Sequence, residues 1–257
     1  MGMLTERSRR IASMVFFVLM MLFPAIGYVV AFGCPTCFDG GRSGARFPAH
    51  FWVSSVIQKG PTYWMALSAT SVCCPIAFLV LLDRYTQVKK AIQDMDPRLN
   101  TYNELARFWL HVAVPFIYLM AAVPISRIWA HFFLETIGFI TWCCYYAVQI
   151  KWIEKELVNA GIVDGPLHQR KLTLVRWMQW SLTVCGITFA LTGVTKTFRI
   201  NSPSDLGMRV VSVVSEWIFL YTGTAVLGLC DFGNLNAKLE KKSHKKATSH
   251  VSDDVEV

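Results

Sequence analysis

The run from Val210 to Leu229 is as long as a lipid bilayer core requires, and it contains one acid, Glu216. A spanning helix needs about 20 predominantly apolar residues. A carboxylate near its centre costs about 2.5–3.5 kcal/mol or more, so Glu216 calls for a partner or a task. Five further apolar blocks precede this one, at residues 11–32, 62–82, 108–126, 129–150 and 174–195. Apolar residues gathered in blocks of this length point to membrane spans rather than to the core of a soluble domain. The composition agrees: 54% of residues are hydrophobic and 16% charged, against about 25% charged in soluble domains. The expected fold is all-α, a polytopic six-transmembrane helix bundle.

The formal charge of +8 does not indicate nucleic acid, because the basic residues sort by loop. With a cytosolic N-terminus and six spans, 18 of the 25 lysines and arginines fall on the cytosolic side. These include Arg7, Arg9 and Arg10 before the first block, Arg84 to Arg107 between the second and third, and Lys151 to Arg176 between the fourth and fifth. The positive-inside rule favours this orientation, with both termini cytosolic. The expected organisation is a basic cytosolic leader at 1–10, a six-span membrane domain at 11–234 with a lumenal loop at 33–61, and a disordered cytosolic tail at 235–257. The stretches 83–107 and 151–173 read as charged cytosolic loops, the second broken at Asp164, Gly165 and Pro166. Pro115 and Pro124 fall inside the third span, where they bend a helix and free carbonyls for other partners.

Cys34 and Cys37 form a lone C-x-x-C in the lumenal loop. It suits a local disulfide, a redox pair or half a metal site. No second pair completes a zinc set, and a disulfide fits an oxidising lumen better. No cofactor or metal is expected.

Two acids lie inside spans, Glu135 six residues after Trp129 and Glu216 seven after Arg209. At about 1.5 Å per residue both sit roughly 9–11 Å below the lumenal interface, so they can meet at one depth. His131 precedes Glu135 by four residues and shares its helix face. Arg127, Arg199 and Arg209 lie above them. Glu135, Glu216, His131 and these arginines are therefore candidate lipid-binding residues: cations for a phosphate, with a carboxylate or imidazole able to move a proton. The competing reading is a buried network that fixes helix packing, pairing Glu135 with Arg127 or Arg209. No G-x-S-x-G, P-loop or H-E-x-x-H occurs, Ser54 and Ser55 have no recognisable base beside them, and catalytic residues stay unassigned.

Several passages, in this order, resemble the Frag/DRAM/Sfk family of six-span proteins, described also through the Cwh-like N-terminal domain. Ser54 and Ser55 stand in a lumenal segment ahead of Tyr63 and Trp64. Phe198 and Arg199 are followed by Asn201 and Asp205. Glu216 and Trp217 form an acid–aromatic pair in the last span, and Asp231, Phe232, Gly233 and Asn234 close it. His131 falls near a histidine that the family carries at the start of span four. The chain departs from the family pattern at the lumenal proline ahead of the serines, at a His and Arg early in span two, and at a Phe-His before Asp231. Within the family the chain is most similar to the post-GPI-attachment factors. The resemblance implies a lipid-handling factor of the Golgi or ER membrane that assists GPI-anchor lipid remodelling, with membrane lipids and GPI-anchored proteins as partners. Other relatives act in lysosomes or at the plasma membrane, in autophagy or in phosphoinositide signalling and lipid asymmetry. A non-enzymatic membrane adaptor is the alternative function.

Overall fold

The computed structural model describes residues 5–33, 60–123, 128–192 and 203–229. The expected lumenal loop 33–61, apart from its ends, and the tail 235–257 lie outside the described residues. The described chain is helical: α1 (Glu6–Gly33), α2 (Gly60–Ala91), α3 (Pro97–Ala122), α4 (Ile128–Tyr146), a π-helical segment (Ala147–Glu154), α5 (Lys155–Asn159), α6 (Gly165–Thr192) and α7 (Pro203–Leu229). The π segment joins α4 to α5 without a break.

The six long helices close into a ring. α1 packs on α2 and α7, α2 on α3, α3 on α4, α4 on α6, and α6 on α7. Four stretches are long and apolar enough to cross a membrane: Tyr63–Ala91, Pro97–Ala122, Trp129–Asn159 and Gly207–Gly228. The apolar stretch described in α1, Ile11–Phe23, is shorter. Within its described residues α6 falls short because it carries Gln169, Arg170, Lys171, Arg176 and Gln179. Outward residues such as Val18, Leu22, Val72, Leu79, Phe133 and Ile187 are exposed and apolar, as a surface against hydrocarbon requires. Exposed tryptophans mark both ends: Trp64 and Trp129 at one, Trp152 at the other, where indoles sit best at membrane–water interfaces.

Helix boundaries differ from expectation at the charged connections. α1 begins at Glu6, inside the expected leader, with the Thr5 hydroxyl accepting from the Ser8 amide at 3.2 Å. The region 83–107 is not a loop. α2 continues to Ala91 and α3 starts at Pro97. The cause is local: no Gly or Pro interrupts 83–96, and Tyr85, Val88 and Ile92 lie at helical spacing and are buried. α2 is thus about 48 Å long, more than a hydrocarbon core needs. Asp96 then caps α3, accepting from Arg98 N at 2.8 Å, with Pro97 at the first helical position.

The region 151–173 is helical too, apart from the turn at 160–164. Gly161, at φ 69°, ends α5 in a Schellman motif. Ile162 N donates to Leu157 O at 2.8 Å and Gly161 N to Val158 O at 2.9 Å. Asp164 opens α6 by accepting from Leu167 N at 3.1 Å, so the break expected at Asp164, Gly165 and Pro166 is where the chain turns.

Candidate functional site

Glu135 on α4 and Glu216 on α7 meet: their side chains come within reach of each other. Glu216 is 4% exposed and Glu135 is half-buried. α7 brings Arg209, Ser212 and Glu216 to one face at spacings of three and four, and all three are buried. Cys185 of α6 stands beside both acids. Its sulfur is 3.6 Å from Ser212 Oγ, and the Thr188 hydroxyl lies 3.0 Å from that same oxygen.

Aromatic rings bound this polar cluster along the bundle. Phe132 and Phe189 pack edge to face at 4.9 Å on one side. Phe139 and Phe219 stack at 4.3 Å on the other, one turn of helix beyond the two acids. Trp217 stacks on Tyr221 at 5.5 Å. The acids thus occupy a short polar layer between apolar layers, which raises the strength of any charge or hydrogen bond placed there.

His131 is buried, and its Nδ1 donates to the carbonyl of Val123 at 2.8 Å. Tyr63 Oη donates to Ala122 O at 3.1 Å. Both bonds satisfy carbonyls left open at the end of α3. His131 therefore ties α4 to the end of α3. Arg127, Arg199, Ser54, Ser55, Cys34, Cys37, Asp231, Phe232, Gly233 and Asn234 lie outside the described residues.

A second polar centre, not anticipated from the sequence, sits at the opposite end of the bundle. Glu154, in the π segment, is fully buried. Lys171 Nζ lies 3.1 Å from both of its oxygens, Arg84 Nη2 3.3 Å from Oε2, and His168 Nδ1 3.3 Å from Oε1. One carboxylate thus joins α2, the π segment and α6. Around it, Gln87 donates to Asp83 at 2.8 Å, Asn103 to Tyr85 O at 3.1 Å and Gln149 to Asn103 at 3.3 Å. The signal in the sequence is faint: Glu154 adjoins the stripe Ile150, Ile153 and Leu157, all of which are buried.

Comparison with protein-family models, with curated proteins and with solved structures gives no match to this chain.

Proposed function

We propose that the chain is a six-span lipid-handling protein of the ER or Golgi membrane, with both termini cytosolic, that assists GPI-anchor lipid remodelling. The carboxyl pair Glu135–Glu216 is its working site. The observation that carries this reading is the meeting of two acids drawn from different helices inside an apolar bundle. Acids are expensive in such surroundings and are found there in pathways, relays or binding sites. A pair of carboxyl groups can accept a hydrogen bond from a lipid hydroxyl and give or take a proton, and Arg209 on the same face of α7 adds a cation suited to a phosphate. The resemblance of the sequence to the Frag/DRAM/Sfk family supplies the substrate class.

The test is removal of the gene, followed by measurement of the diacyl composition and surface level of GPI-anchored proteins. Altered lipid chains or reduced surface level support the reading, and no change in either refutes it. Rescue experiments separate this reading from the adaptor. A lipid site requires Glu135 and Glu216 and tolerates loss of residues 235–257, whereas an adaptor acting through its tail shows the reverse.

A further inference from the structure

Residues of α1, α2, α3, α4 and α7 line a partly open cavity of about 100 Å³. α1 and α3 face each other across it, and Phe16, Cys73, Val114, Trp142 and Phe219 are among the side chains that line it. Its threonine hydroxyls are already committed: Thr70 donates to Ala66 O at 2.7 Å and Thr224 to Leu220 O at 2.8 Å. A buried water needs two to four polar partners, and an apolar void of comparable size stays dry and takes hydrocarbon. The surrounding helices expose Val18, Leu22, Val72 and Leu79 outward, so hydrocarbon is the solvent from which this void fills.

The position of the cavity fixes what kind of molecule enters. Phe139 and Phe219 form one wall. Phe139 follows Glu135 by four residues and Phe219 follows Glu216 by three, so the polar layer and the void are consecutive along the same two helices. We infer that the cavity holds the segment nearest the head group of one acyl chain of a membrane lipid whose hydroxylated head group engages the carboxyl pair. The head-group half of this assignment rests on the lipid-handling reading, and the chain half rests on the cavity alone.

The test uses the full chain in phosphatidylcholine vesicles containing phosphatidylinositol with a photoreactive diazirine in the first half of one acyl chain. Cross-linked peptides are identified by mass spectrometry. Labels are expected on Cys73, Met120 and Phe219, and Ala77→Leu or Thr224→Leu, which fill the cavity, should lower them at least five-fold. Each filling variant should also raise the melting temperature of the delipidated protein by a few degrees. Two variants are used because either leucine alone could strain its site. Leu79→Ala, on the outer surface, should leave cavity labelling unchanged. Labels confined to outward residues such as Val72 and Leu79 overturn the proposal. So does cavity labelling that survives both filling variants, or a sterol diazirine that labels the cavity in place of the acyl probe. These outcomes do not depend on the cellular result. Cavity labelling in a chain whose removal leaves GPI anchors unchanged sinks the remodelling role and keeps the chain site. Loss of remodelling without cavity labelling does the opposite.

Discussion

Lys171 places its ammonium 3.1 Å from each carboxylate oxygen of Glu154, and neither residue is accessible to more than a trace of solvent. Seventeen residues separate them in the chain. Arg84, seventy residues from Glu154, and His168 complete the shell. Deleting one member of a buried ion pair leaves an uncompensated charge and costs about 3–5 kcal/mol. Lys171→Met should therefore destabilise the detergent-solubilised protein by about that much, read as a fall in thermal unfolding temperature. Arg84→Met should cost less, because Lys171 and His168 remain.

Gly138 allows α3 and α4 to approach closely. A Cβ there would lie 3.1 Å from Ile117 Cγ1 and 3.3 Å from the Ile117 backbone nitrogen. The side chain can shift but the backbone cannot. Overpacking of this kind costs about 1–3 kcal/mol, against a gain of up to about 1 kcal/mol from replacing glycine in a helix. Gly138→Ala should be net destabilising by about 1 kcal/mol. Gly186→Ala, with open space at the added methyl, should be neutral or stabilising in the same unfolding assay.

His131 supplies the hydrogen bond that satisfies the Val123 carbonyl at the end of α3. His131→Ala leaves that carbonyl without this donor and should lower stability by about 1–3 kcal/mol. If that bond is the residue's whole role, activity per folded molecule in the rescue assay will be unchanged. A loss of activity beyond the loss of folded protein would place the imidazole in the chemistry.

A glutamine at either acid can still hydrogen-bond to the remaining carboxyl group. Glu135→Gln and Glu216→Gln should each stay folded, within about 1 kcal/mol of the parent in unfolding. Glu216→Leu removes the polar group that Glu135 meets on α7. It should cost about 1–3 kcal/mol, in the range for a stranded buried polar group.

The sequence announced the helical class and the depth of the two acids, because block length and residue rise along a helix are local quantities. Counting six and seven residues from Trp129 and Arg209 brought Glu135 and Glu216 to one level, and their carboxyl groups meet. It did not announce the helices that run past the apolar blocks. Arg84 and Glu154 carry charge, and charge in a linear string looks solvated. They are buried because distant helices bring the complementary groups together, which no window of the sequence contains. The π segment is hidden for the same reason: the residues 147–154 have ordinary α-helical composition, and the widened turn is seen only in the fold. His131 shares a face with Glu135, as its spacing implied, yet its bond is to the neighbouring helix end.

If the Glu135–Glu216 pair works on lipid, its loss shows in the lipid composition of GPI anchors, measured in cells lacking the endogenous gene and expressing the double variant Glu135→Gln, Glu216→Gln at the parent's folded level. Anchors in these cells should keep the chain composition of the gene-deleted cells. Anchors restored to the parental composition by the double variant would contradict a lipid role for the pair.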